Sequence, residues 1–459
     1  MLSLNKIIDR FTKRKPRIRG HGLNKPAVNT PESEPLIIPR SEHTISRKHI
    51  SPAALKVLYG LKEAGYDAYL VGGCVRDLLL GHKPKDFDVT TNATPEQVHK
   101  VFHRSQLIGR RFKLVHVRFG REVIEVATFR APPEADQHDD GRIMRDNVYG
   151  TMEQDAWRRD FTINALYYTI NDFSVIDYTG GLADLKAGNI KMIGDVETRY
   201  REDPVRILRA LRFVGKLGLK LDEQTKTLIP KYAELLADIP AARLFDEVLK
   251  LYLSGNAITT HGLLCQYQVF EHLFPQTHTI EQKQDDKAQL LLIKALENTD
   301  KRIAEDQPVT PAFLFAAILW EPARLRWQHH ISRNIPPIPA LQRAATDVIV
   351  EQVQRVAVPK RFTMTTRDIW MLQPRLEMRT GKRAFRLLTH PKFRAGYDFL
   401  LLRSVSGDEL IELADWWTQF QFATEAEQLD LVKNLAPTPA GKKRKPRRKR
   451  AKKPVVKSD

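Results

Sequence analysis

Cysteine is nearly absent: Cys74 and Cys265 are the only two in 459 residues. They lie far apart and form no C-x-x-C spacing. That argues against a disulfide framework and a thiolate zinc site, and it fits a reducing compartment such as the cytoplasm. Long apolar runs are missing as well. No stretch of 18 apolar residues occurs, so no transmembrane helix is expected. The first residues carry Lys6, Arg10, Lys13, Arg14, Lys15, Arg17 and Arg19 without the apolar centre of a signal peptide, and read as a flexible basic arm. Acidic residues are in deficit, 55 against 74 basic, for a net charge of +19. An anionic partner follows, with nucleic acid the commonest and an anionic membrane surface the competitor. The stretch from Lys442 to Asp459 supplies +10 of this, so the other +9 is spread over the rest of the chain. No internal repeat is visible.

The length suggests two to four packed units. Ser51 and Pro52 open a helix as N-cap and first helical residue. A strand follows over 66–71, broken by Gly72 and Gly73, then a short helix from Cys74 closed by Gly81. Residues 86–90 read as the next strand and 95–102 as a helix. Two strands, 114–119 and 123–129, meet at Gly120–Arg121 as a hairpin. Beyond about residue 180 strand signals fade, and 204–217, 242–253, 287–296 and 311–319 all read as helical. The fold class expected is α+β and multidomain: a head with a mixed β-sheet and helices, followed by all-α domains.

Three constellations carry chemistry. In the first, Leu70-Val-Gly-Gly-Cys-Val-Arg-Asp77 precedes Lys85-Asp86-Phe87-Asp88-Val89. Asp86 and Asp88, two apart on a strand, share a face while Phe87 faces the core. Like charges side by side repel, and a divalent cation such as Mg²⁺, bridging to nucleotide phosphates, resolves the conflict. Gly72 and Gly73 let backbone approach a triphosphate, the helix N-terminus adds positive potential, and Arg76 can pair with phosphate oxygens. Either piece alone is more often an ordinary turn or a solvated strand end; the strand–GG–helix–DxD order carries the signal.

The second is Arg158-Arg159-Asp160-Phe161-Thr162. Asp160 is a candidate third carboxylate, against a plain salt bridge or helix cap; Glu125 is the rival, and alternation favours Asp160 only slightly. In the third, Arg201-Glu202-Asp203-Pro204-Val205-Arg206, Asp203 and Arg206 can share a helix face and read a base edge. Capping by Asp203 is the simpler reading, and Arg206, Arg209 and Arg212 read equally well as a solvated face.

In this order, LVGGCVRD, DFDVTT, RRDFTINALYY and REDPVRILRALRF resemble the class II nucleotidyltransferase family, which unites bacterial poly(A) polymerases and CCA-adding tRNA enzymes. Leu107 to Val117, with Arg110, Arg111 and His116, looks like the poly(A) polymerase branch. EVATFR (125–130), PAARLFDE (240–247), KRFTMTTRDIW (360–370), GKRAFRLLTHPKFRAGYDFLLLR (381–403) and the basic tail are similar too. Cys74, in the third position of the glycine turn, is a departure.

The resemblance implies metal ligands Asp86 and Asp88, an active-site role for Asp160, and nucleotide contacts from Gly72, Gly73, Arg76, Asp77, Arg158, Asp203 and Arg206. RNA contacts are expected from Arg110, Arg111, Lys382, Arg383, Arg386, Lys392 and Arg394. It implies a catalytic head at 46–180, a helical neck and body at 181–300 and a helical RNA-binding domain at 301–433; composition reads 1–45 as a basic flexible arm and 434–459 as a disordered basic tail. The expected reaction is AMP transfer from ATP to RNA 3′ ends with two Mg²⁺ ions, or Mn²⁺, by a monomer working with RNA-decay proteins. A CCA-adding enzyme and a non-catalytic RNA-binding protein are the alternatives.

Overall fold

The computed structural model describes residues 34–109, 113–131, 148–281, 286–405 and 410–435, and the backbone of 138–139 and 142–143. Arg110, Arg111, the first 33 residues and the basic tail lie outside the described residues.

Eight strands form the head sheet: β1 (Leu36–Ile38), β2 (Ala68–Val71), β3 (Asp88–Thr91), β4 (Ser105–Ile108), β5 (Leu114–Phe119), β6 (Glu122–Thr128), β7 (Leu166–Thr169) and β8 (Val175–Asp177). Their order is β1-β8-β7-β2-β3-β6-β5-β4. Every neighbouring pair is antiparallel except β3 and β6, which run parallel with Asp88 opposite Glu125 and Thr91 opposite Thr128. Helix α1 (Pro52–Glu63) starts where the sequence signals it: the Ser51 hydroxyl accepts from the Ala54 amide at 3.0 Å, and Val57, Leu58 and Leu61 bury one face. Helix α2 (Gly73–Leu79) follows β2 with no connecting loop, because Gly72 turns the chain at φ 76°, a conformation costly for residues with a Cβ. Gly120 makes the β5–β6 turn at φ 62°. Residues 34–45, assigned to the basic arm by composition, contribute β1, which pairs with β8 at the sheet edge.

After α3 (Pro95–Val101) and α4 (Met152–Trp157), the chain leaves the head through α5 (Val196–Glu202) and α6 (Val205–Leu217). Helices then dominate: among them α7 (Ala241–Tyr252), α8 (Asp286–Ala304), α9 (Pro311–Ile318), α10 (Lys360–Leu376), α11 (Lys382–Leu388) and α12 (Phe393–Val405). One continuous apolar core runs from Ile38 in the head through Val205 and Leu208 to Trp370 and Phe399. A second core, built on Trp416, Trp417 and Phe420, packs the C-terminal helices. Among the described residues no helix is long and apolar enough to cross a membrane.

Candidate active site

Strand β3 begins at Asp88, so Asp86 stands in the bend that enters it. Phe87 is 7% exposed, while both flanking aspartates are exposed, so the carboxylates leave on the side away from the core. The start of β3 lies against α2: the Cys74 thiol contacts the Val71 carbonyl at 3.3 Å and the Asp88 carbonyl at 3.9 Å. The aspartate pair is thereby tied to the double-glycine turn. Burial pushes the Cys74 thiol up to about 12, so it is an inert packing group.

Neither Asp86 nor Asp88 has a side-chain hydrogen bond or ion pair among the described residues. Asp88 reaches solvent, yet protein crowds its remaining sides. That desolvation, with repulsion from Glu125, raises its carboxyl to about 6; Arg159 pulls the other way and Asp86 adds to the rise. Glu125 acts on Asp88 more strongly than Asp86 does, and the parallel register sets it opposite Asp88. It accepts a 3.0 Å contact from His116 across the β5–β6 pair.

Asp160 is held differently. Its Oδ1 accepts from the Phe161 amide at 2.9 Å and the Asn164 amide at 3.2 Å, and its Oδ2 accepts from Arg209 Nε at 2.7 Å. Burial alone would raise its pKa; Arg209 and Asn164 outweigh that and hold it at about 2. Asp160 thus fastens α6 to the head. Glu125, not Asp160, stands in register with the aspartate pair.

Around the turn, Arg76 is 3% exposed and fully engaged: Nε and Nη2 donate to Asp77 at 2.9 and 2.6 Å, and Nη1 donates to Asn164 at 2.6 Å. A Cβ on Gly73 would stand 3.5 Å from Arg76 Nη2, and one on Gly72 would stand 3.4 Å from Arg159 Nη1. Arg159 is the residue that sequence reasoning passed over. Its Nη2 pairs with Asp155 at 2.8 Å and its Nε contacts the Tyr167 hydroxyl at 3.2 Å, while its charge acts on Asp88. The only sequence signal was the Arg158–Arg159 pair, from which Arg158 was chosen; the Arg158 carbonyl accepts from Arg199.

Asp203 and Arg206 do not pair with each other. Asp203 accepts from the Val205 amide at 3.2 Å and from Arg243 Nη2 on α7 at 2.7 Å. Arg206 donates to the Arg199 carbonyl at 2.6 Å and to Glu202 at 2.9 Å. The arginines of α6 are no solvated face: Arg209 meets Asp160, Arg212 meets Glu247 at 3.8 Å, and both lie over the Phe213 ring. Farther along, Lys382, Arg383 and Arg386 are exposed on α11 opposite buried Ala384 and Leu387. Arg394 pairs with Asp398 at 2.9 Å. Phe393 stacks on Tyr397, and Phe385 meets Phe420 edge-on, so both rings serve the core.

Unpartnered hard-oxygen donors crowded against a third carboxylate suit a divalent cation. No closed cluster of three or more acid, imidazole or thiolate ligands exists among the described residues. An aspartate pair where the chain enters a sheet strand, a glycine turn opening a helix and a helical remainder define a nucleotidyltransferase.

Comparison with known proteins narrows the class. Residues 68–191 match the poly A polymerase head domain, 218–280 the probable RNA and SrmB-binding site of polymerase A, and 333–452 the polymerase A arginine-rich C-terminus. Poly(A) polymerase I of Salmonella typhi is 51% identical over 429 residues, covering 90% of this chain and 92% of that one. The CCA-adding enzyme of Lactobacillus helveticus is 40% identical over 218 residues, covering 48% of this chain and 54% of its own. The structure of the Thermotoga maritima CCA-adding enzyme complexed with tRNA superposes with a TM-score of 0.57 at 20% identity, covering 88% of this chain and 92% of that one; this likeness shows the fold. The chain belongs to the bacterial poly(A) polymerase I family.

Proposed function

We propose that the chain joins AMP from ATP to RNA 3′ ends by the following division of labour. Asp86 and Asp88 hold a divalent cation, Mg²⁺ or Mn²⁺, in a two-ion site, with Glu125 as the neighbouring third carboxylate. When bound, the cation supplies charge neutralisation at the triphosphate and acidifies the attacking hydroxyl. The Gly72–Gly73 turn, Arg159 and the α2 N-terminus cradle the phosphates. Asp77 and Asn164 fix Arg76 beside that cradle. Asp203, fastened by Arg243, and Arg206, fastened by Glu202, present an acceptor and a planar donor to adenine. The RNA 3′-oxygen attacks the α-phosphorus in line; the new P–O bond forms as the bond to the β-phosphate oxygen breaks, pyrophosphate leaves, and the hydroxyl proton passes to solvent.

The head, 46–180 together with strand β1, carries this chemistry. The helical parts at 181–300 and 301–433 grip RNA, with Lys382, Arg383 and Arg386 as contacts. The enzyme acts in the cytoplasm on RNA destined for decay.

The in-register placement of Asp88 and Glu125 beside the glycine turn carries this reading. Offering one labelled nucleotide at a time with Mg²⁺ and a generic RNA tests it. Long products from ATP alone are expected. Addition that halts after a few units and only on a tRNA acceptor would point to a CCA-adding enzyme. No incorporation would point to a binding protein.

A further inference from the structure

Away from the head, an open cleft of about 1050 Å³ is walled by α8, the 307–310 connection, α9, the start of α10 and the length of α12. No residue of the head sheet or of α6 lines it. Six cations face it, Lys294, Lys301, Arg302, Arg361, Lys392 and Arg394, against two carboxylates, Glu305 and Asp398. Several of these cations are answered. Arg394 meets Asp398, Lys301 meets Glu305 at 3.9 Å, and Lys294 meets Glu297 at 2.6 Å.

The rest keep their charge. Among the described residues Arg302 donates only to the neutral Pro308 carbonyl, at 2.9 and 3.2 Å. Arg361 and Lys392 have no ion pair among the described residues. Arg361 is exposed at the start of α10 and lies over the Phe362 ring, 4.7 Å from its centroid. Phe362 and Phe313 line the same cleft; each packs on one side against a core ring, Phe245 and Phe399 respectively, and is only partly buried.

We propose that this cleft holds a single-stranded segment of the RNA upstream of the growing 3′ end, an inference that rests on the polymerase reading above. Unanswered cations beside half-covered aromatic rings are what a single strand needs: cations for the phosphates, ring faces for the bases. A site for one free nucleotide would be a largely closed pocket with a few placed polar groups, whereas this cleft is open. Here the cations are spread over α8, α10 and the start of α12, which suits a polymer backbone. An acidic protein would use the cations and leave the rings idle.

Placed apart from the carboxylates, the cleft makes grip depend on RNA length. A primer of roughly four nucleotides occupies the head alone, whereas one of roughly 30 reaches the cleft as well.

The test uses full-length protein carrying Arg361→Glu, alone and with Arg302→Gln, with Arg361→Lys as the charge-preserving control and circular dichroism to verify folding. Binding of labelled oligo(A) is followed by fluorescence anisotropy across a salt series, and AMP addition is measured on both primers. The paired variant is expected to bind the long oligo(A) roughly tenfold more weakly, with the log–log salt slope reduced by about 1.4, since each single-strand phosphate contact contributes about 0.7. Short-primer extension is expected to stay at the wild-type rate, and Arg361→Lys to retain most of the long-RNA affinity. An unchanged affinity and slope would overturn the proposal. So would an equal loss on short and long primers, which would place the effect at the active site, or displacement of RNA by polyglutamate of equal charge as readily as by RNA. A wild-type protein that binds long RNA but extends neither primer would refute the polymerase reading, and the anisotropy comparison would still decide the cleft.

Discussion

Removing the Asp160 carboxylate separates a structural fastening from a catalytic role. Asp160 sits at about 2 rather than its usual 3.8, with its side chain only 13% exposed. That difference is worth about 2 kcal/mol of folding stability at neutral pH. Because the folded pKa lies below the unfolded one, the contribution is complete above about pH 4 and is lost as the pH falls through 2. Asp160→Ala also leaves Arg209 partly buried without its partner, so a total cost of about 3 kcal/mol is expected. Urea denaturation at pH 7, followed by far-ultraviolet circular dichroism, reads this as a lower midpoint. In a double-mutant cycle with Arg209→Leu, the two losses should fall short of additivity by about 2 kcal/mol. AMP addition by folded Asp160→Ala should persist at a reduced rate. An Asp160→Ala protein of unchanged stability that adds no AMP would refute the reasoning and make this carboxylate a participant in the chemistry.

Glu125→Gln keeps the size and the His116 contact but removes the charge beside Asp88, so kcat should fall by about a hundredfold or more with RNA affinity unchanged, as single-turnover and binding assays would show. Gly72→Ala forces a Cβ into a φ of 76° and within 3.4 Å of Arg159, so KM for ATP should rise more than kcat falls. Arg243→Ala frees Asp203 from its 2.7 Å partner, and loss of one charged hydrogen bond should erode the preference for ATP over CTP roughly tenfold in competition assays. His261, buried beside Tyr252 and Cys265, is lowered by desolvation from 6.5 to about 4. Its unfolded form gains a proton first, so stability should drop by up to about 3 kcal/mol between pH 6.5 and 4. His261→Gln should flatten that slope in urea titrations across the range.

What the sequence disclosed was what is local. Ser51–Pro52 marked the start of α1, Gly120 the β5–β6 turn, and the glycine pair the β2–α2 junction, because each signal acts within a few residues. What it hid was register and long-range pairing. Alternation along one strand could not show that β6 lies parallel to β3 with Glu125 opposite Asp88, 37 residues away. The Arg206–Arg209–Arg212 spacing suits a solvated face equally well. Its burial depends on Asp160 and Glu247, acids contributed by the head and by α7. Arg243 is 40 residues from Asp203. Strand β1 is three residues long at a sheet edge, too short to show an alternation.

Single-turnover transfer of labelled AMP to RNA by Asp88→Asn, in saturating ATP and Mg²⁺, bears most directly on the whole account. The rate should fall by at least about a thousandfold while RNA binds as tightly as to the unaltered chain. Transfer within a few fold of the unaltered rate would place the chemistry somewhere other than the aspartate pair.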